Sequence, residues 1–126
     1  MFSHIMVGAN DMGTSKTFYD AILGVIGTKP GVFDDMGRVI YTHDSALFIV
    51  TKPIDGAAAC HAKGGTIGFA MALPEQADAW HAAGLAAGGA ACEDPPGGRE
   101  GGFGKLYLAY LRDPAGNKLC GLHRIA

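Results

Sequence analysis

The chain has 126 residues, of which 48% are hydrophobic and 17% charged, with a formal net charge of −2. That length suits one compact domain with its own core, and the apolar share excludes a disordered chain or one that needs disulfides or a metal to fold. Acidic residues slightly outnumber scattered basic ones, and no apolar run approaches the roughly 18 residues of a membrane span, so neither nucleic acid nor a membrane is expected as a partner.

Residues 2–9 form a short apolar run broken by His4. Asn10-Asp11 then offers a cap for a helix over residues 12–23, in which Ser15, Phe18, Tyr19, Ile22 and Leu23 share one stripe and which Gly24 ends. Residues 37–42 alternate as a strand does, His43-Asp44-Ser45 reads as a turn, and residues 46–50 return as the second arm of a hairpin that Pro53 stops.

From Gly65 the pattern starts again. Placing Thr66 over His4 sets Ile67 on Ile5, Trp80 on Phe18, Ala83 on Ala21, Leu85 on Leu23 and Gly89 on Gly27. Pro74 and Glu75 suit the first turn of a second helix, which continues over residues 77–87. A turn-rich segment, residues 93–105, precedes a strand over 106–111, a tight turn over 112–117 and a last strand over 118–123. The hairpins of the two halves correspond when the second turn is given two extra residues, which puts Phe48 at the place of Cys120. An internal duplication is the simplest account. It also explains much of the glycine, whose 20 residues are more than twice the usual share of roughly 7%.

Cys60, Cys92 and Cys120 are odd in number and show no C-x-x-C spacing, which argues against a disulfide framework and against a zinc knuckle. The start, Met1-Phe2-Ser3-His4, has no basic segment or cleavage site, so the expectation is a cytoplasmic protein in a reducing compartment. The glycines of residues 93–105 fail both nucleotide tests: Arg99 stands where a phosphate loop needs its first Gly, and a dinucleotide fingerprint would need Gly at Tyr107.

Four stretches carry a resemblance: the opening strand with His4, Phe18-Tyr19-Asp20-Ala21-Ile22-Leu23-Gly24, Gly65-Thr66-Ile67-Gly68-Phe69, and Tyr110-Leu111-Arg112-Asp113-Pro114-Ala115-Gly116-Asn117-Lys118-Leu119. In this order the chain resembles, over its whole length, the glyoxalase, bleomycin-resistance and extradiol-dioxygenase group, the vicinal oxygen chelate superfamily. The resemblance implies a single α+β domain of two βαβββ modules, about residues 1–56 and 64–126, whose curved mixed sheets enclose a cavity. It implies a homodimer as well. In such enzymes a divalent metal in the cavity chelates two neighbouring substrate oxygens as a Lewis acid.

The family's ligand positions map to His4, Phe48, Thr66 and Cys120. Of these His4 is an ordinary ligand, Cys120 offers a thiol, Thr66 a weak neutral oxygen and Phe48 nothing, a poor set for Zn²⁺, Ni²⁺, Mn²⁺ or Fe²⁺. His43, His61, His81 and His123 read as solvated or packing residues, and His4 has a plain alternative as an imidazole bonded to its neighbours. The residues expected to line the cavity are His4, Met6, Phe48, Thr66, Tyr107 and Cys120, with Arg99 or Lys105 reaching in from a flap formed by residues 93–105 and Glu100 as its one carboxylate. Met6 shares the face of His4, while Lys118 and Leu122 share that of Cys120. Tyr41 and Phe103 fall near the lining; Tyr107 is expected to point inward and Tyr110 into the core.

The function expected is binding of a small organic molecule without the family's usual metal. The alternatives are a metal-dependent glyoxalase-like lyase or isomerase, whose metal site would include His4, and a structural or regulatory dimer with a vestigial cavity.

Overall fold

The computed structural model describes residues 1–102 and 104–125; Phe103, expected near the lining, lies outside the described residues. The first half runs β1 (His4–Gly8), α1 (Met12–Val25), β2 (Val32–Phe33), β3 (Val39–His43) and β4 (Ala46–Thr51). The second runs β5 (Ile67–Ala70), α2 (Pro74–Ala86), β6 (Ala90–Ala91), β7 (Gly97–Gly101), β8 (Gly104–Arg112) and β9 (Lys118–Arg124). One sheet has the order β1-β4-β3-β2 and the other β5-β9-β8-β6, with β7 also on β8. In both, the first strand lies parallel to the last and the other pairs are antiparallel. The fold is α+β, and the two halves repeat one topology.

Both helices start where the sequence directs. Asp11 caps α1 by accepting a hydrogen bond from the Thr14 N–H at 3.0 Å, and Pro74 sits in the first turn of α2, where its missing N–H costs nothing. Gln76 adds a cap of its own by accepting from the Ala72 N–H at 2.6 Å. No helix among the described residues is long and apolar enough to cross a membrane.

Two expectations need correction. Residues 93–105 do not form an open flap: Gly97–Gly101 is a strand, paired with β8 from Gly97 opposite Leu108 to Gly101 opposite Gly104. β6 and β7 share one edge of β8, and residues 92–96 bulge between them. A glycine-rich strand carries no side-chain alternation, so its sequence looks like a loop and the pairing comes from backbone hydrogen bonds to β8.

The second correction concerns register. Counted from Thr42 and Arg112, which stand at the same place in the two halves, the returning strands re-pair at Leu47 after four residues and at Lys118 after five, one residue more and not two. Phe48 therefore corresponds to Leu119, and Ile49 to Cys120. A slip of one residue turns every side chain to the other face of its sheet. Phe48 accordingly packs against Tyr19, with ring centroids 4.9 Å apart, on the helix side, and Cys120 lies on the face opposite the helices.

The helix-side faces of both sheets meet α1 and α2 in one core that includes Phe18, Tyr19, Ile22, Val39, Val50, Trp80, Leu111 and Leu119. The helices cross closely because Gly84 has no side chain: a Cβ there would lie 2.3 Å from Leu111 Cδ1, 3.1 Å from Ile22 Cγ2 and 3.3 Å from Phe18 Cε1. The halves are also tied through the β8–β9 turn. Asp113, 4% exposed, accepts from the Tyr19 hydroxyl at 2.6 Å and from the side-chain amide of Asn117 at 2.8 Å, and that amide donates in turn to the Gly8 carbonyl at 2.9 Å.

Both features predict measurable losses in urea unfolding. Gly84→Ala should destabilise by about 1–3 kcal/mol through overpacking, and Asp113→Ala by about 3 kcal/mol, because it strands buried donors. A loss below 0.5 kcal/mol at either position would show that the neighbours yield freely.

Candidate functional site

A pocket of about 550 Å³ opens between the halves, beside the C-terminal end of α1, the start of α2 and the β3–β4 turn. Alternation along β5 builds one wall: Ile67, Phe69 and then Met71 face the helices, while Gly68 and Ala70 leave room beside them. Tyr41 and Phe48 supply rings from the other sheet, and the Phe48 and Phe69 rings meet edge to face across the halves at 5.6 Å. Leu23 and Ile26 close the helical end.

The polar groups of this pocket are few. Thr28 Oγ1 and His43 Nδ1 lie 2.9 Å apart in a hydrogen bond, and Thr28 itself is buried. His43 Nε2 is 3.8 Å from the Asp44 carboxylate, beyond hydrogen-bonding distance. Gln76 spends its amide on the fold, accepting from Ala72 and donating to the Val25 carbonyl at 3.2 Å. The Tyr41 hydroxyl donates to Asp20 at 2.8 Å, and burial followed by that carboxylate pushes its pKa well above the usual tyrosine value. Tyr41 thus stays neutral and presents its ring. None of the lining residues is Asp, Glu, Lys or Arg.

Of the seven residues expected to line a cavity, Phe48 lines this pocket and the other six lie elsewhere. His4 and Met6 stand on the face of the first sheet opposite the helices, both exposed, with the His4 ring bonded to Ser3 Oγ at 2.8 Å. Thr66 is exposed just before β5. Cys120 and Arg99 occupy the corresponding face of the second sheet, Cys120 opposite Tyr110 and Arg99 opposite Leu106. The Arg99 guanidinium donates to the Pro95 carbonyl at 2.9 Å, and Glu100 and Lys105 pair with each other at 3.7 Å.

The expectation for the two tyrosines is reversed: Tyr107 is on the helix side and donates to Asp78 of α2 at 2.6 Å, and Tyr110 shares the face of Cys120 beneath Lys118, whose ammonium is 5.0 Å from the ring centre. The direct cause is parity, since Tyr107 pairs with His123 and Tyr110 with Cys120 across β8 and β9. His43, by contrast, reads as a solvated turn residue in the sequence, and Thr28 carries no signal there. They meet through tertiary structure, 15 positions apart, and no local pattern announces the contact.

The divalent ion implied by the resemblance does not fit the donors present. Among the described residues no three His, Cys, Asp or Glu side chains come together. Ile49, the residue in register with Met6 and equivalent to Cys120, has no donor. Burial pushes the Cys120 thiol above its usual pKa; Glu93 adds to this, and Tyr110 and Lys118 oppose it.

Comparison with known proteins bears on the chain as a whole. No protein-family model matches the sequence, and no curated protein matches it. Among solved structures, a glyoxalase/bleomycin resistance protein from Albidiferax ferrireducens T118 is 58% identical over 98% of this chain and 99% of its own, with a TM-score of 0.95. A glyoxalase-related enzyme from Fulvimarina pelagi, 16% identical over 98% of this chain and 88% of its own, has a TM-score of 0.76. Lactoylglutathione lyase from Agrobacterium tumefaciens, 17% identical over 98% and 92%, has a TM-score of 0.68. These last two share the fold.

The environments of the cysteines predict their order of reaction. With a thiol reagent at pH 8, exposed Cys60 should be modified first, half-buried Cys92 next, and Cys120 only on unfolding, as counted by mass spectrometry. Modification of Cys120 at the rate of Cys60 in the folded protein would contradict its burial.

Proposed function

Because this chain belongs to the glyoxalase/bleomycin resistance protein family, we propose that it binds a small organic molecule in the pocket between its halves, without the divalent metal that resident chemistry in the family uses. The observation that carries this reading is the pocket itself: about 550 Å³, within the roughly 300–1,000 Å³ usual for small-molecule sites, walled by Tyr41, Phe48, Phe69 and Met71 and containing a small set of polar groups. The donor set supports the absence of a metal, since one exposed imidazole and one distant thiol give little affinity for a divalent ion. The fold alone decides no reaction.

A homodimer is part of the proposal. Met6 and Leu47 are exposed on the face of the first sheet opposite the helices, and Val32, Phe33 and Met36 are exposed at its β2 edge. Large apolar side chains gathered on one sheet support burial against a second copy.

Two measurements test these readings. The uncharged fluorophore N-phenyl-1-naphthylamine should bind saturably at one site per chain, unaffected by chelator, and Ala46→Trp should abolish that binding, because residue 46 lines the pocket and, two residues before Phe48 on β4, shares its face. Unchanged saturation in Ala46→Trp, or one equivalent of tightly held metal that is lost in His4→Ala, would overturn the proposal. In light scattering after size exclusion the protein should elute at twice the chain mass, and Phe33→Glu should shift it toward the monomer; a monomer at all concentrations sinks the dimer.

A further inference from the structure

Resting on the reading of this pocket as a small-molecule site, we infer that its ligand is an uncharged aromatic molecule with one hydrogen-bonding head directed at His43. The argument begins with what the walls lack. No lining residue is Asp, Glu, Lys or Arg, so an anion or cation inside would give up its hydration without a carboxylate, ammonium or guanidinium in return. A phosphate or a carboxylate meets no Lys or Arg here. The walls favour an aromatic body: the rings of Tyr41 and Phe48 lie 6.4 Å apart, and those of Phe48 and Phe69 5.6 Å apart, in tilted and edge-on arrangements that offer both ring faces and ring edges to a planar guest.

The position of the head follows from the remaining polar groups. Tyr41 has committed its hydroxyl to Asp20 and Gln76 has committed its amide to Ala72 and Val25. Thr28 Oγ1, itself buried, fixes the imidazole of His43 through Nδ1, while the His43 side chain is 48% exposed and keeps Nε2 accessible, the Asp44 carboxylate lying 3.8 Å from it. Nε2 is left to face a guest, and a ring nitrogen held in place by its other nitrogen is oriented before the ligand arrives. The backbone groups of Gly68 and Ala70 form a second neutral polar strip. Met71 N–H donates to Leu122 of β9, so by alternation the peptides at positions 68 and 70 turn to the edge that β9 does not cover. Gly68, Ala70 and His43 are all exposed, so exposure does not choose between them. His43 is the better place for a specific hydrogen bond, because buried Thr28 fixes the direction of its ring.

The inference is tested by competition against bound N-phenyl-1-naphthylamine with three probes of one shape: 2-naphthol, naphthalene and 2-naphthoate. At pH 7 2-naphthol should displace the fluorophore about fivefold to tenfold more effectively than naphthalene, as one net hydrogen bond provides, and 2-naphthoate should be the weakest of the three. In His43→Phe the advantage of 2-naphthol over naphthalene should vanish, the ratio of their affinities falling to about one. Thr28→Val, which keeps the shape of the side chain and removes its hydroxyl, should reduce the same advantage; thermal unfolding checks that both variants are folded. Equal binding of 2-naphthol and naphthalene, tighter binding of 2-naphthoate, or a preference that survives in His43→Phe overturns the inference while leaving the pocket in place. Failure of the fluorophore itself to bind the unaltered protein overturns the underlying reading instead.

Discussion

The Asp113 carboxylate, buried in the turn between the last two strands, is the point at which the two halves of the chain are held in register. One oxygen receives the Tyr19 hydroxyl from the first helix and the Asn117 amide; the other receives the backbone N–H groups of Ala115 and Asn117. A buried charge is tolerable when it is this fully solvated by protein donors. Burial, and after it Asp113, raises the Tyr19 pKa well above its usual value, so the phenol remains a donor. Asn117 then passes the connection to the Gly8 carbonyl at the end of the first strand. A turn of the second half thus fixes both a helix and a strand of the first.

The pocket depends on that alignment. Its walls come from both halves, which meet there in the edge-to-face contact of Phe48 and Phe69. A second carboxylate holds the first half locally. Asp20 accepts from Tyr41, Lys16 and the Gly31 N–H, and these bonds outweigh partial burial to leave its pKa below the usual carboxylate value. The Gly31 backbone lies so near Val39 and Tyr41 that a Cβ would come within 2.4 Å of Val39 Cγ1. Tyr41 is locked at both its ring and its hydroxyl, and one wall of the pocket is rigid as a result.

The two faces of each sheet therefore divide the work. The helix side holds the aromatic core and the pocket, whose lining has no Asp, Glu, Lys or Arg. The opposite side carries His4, Met6, Cys120, Arg99, Tyr110 and Lys118, the last paired with Glu93, and it is the side on which most of the expected site residues stand. The family pattern predicts a chelated ion among these positions, but hydrophobic Ile49 and neutral Thr66 replace the donors that an ion would need.

The sequence by itself determined the repeated strand–helix–hairpin plan, the capping of α1 by Asp11, the start of α2 at Pro74 and the tight turn around Gly116, whose φ of +94° suits glycine. Each is a local preference that a few neighbouring residues express. The α+β class and the family followed from the order of those local signals. Strand pairing was decided elsewhere: β2 and β6 are too short to show a pattern, β7 is largely glycine, and only hydrogen bonding to a neighbour makes them strands. The facing of Phe48, Tyr107 and Tyr110 also waited on tertiary structure, because one residue in the length of a turn reverses a whole strand and no local preference senses that count. Thr28 and His43 belong to the same class, two ordinary residues made into a site by the packing of a helix end against a hairpin turn.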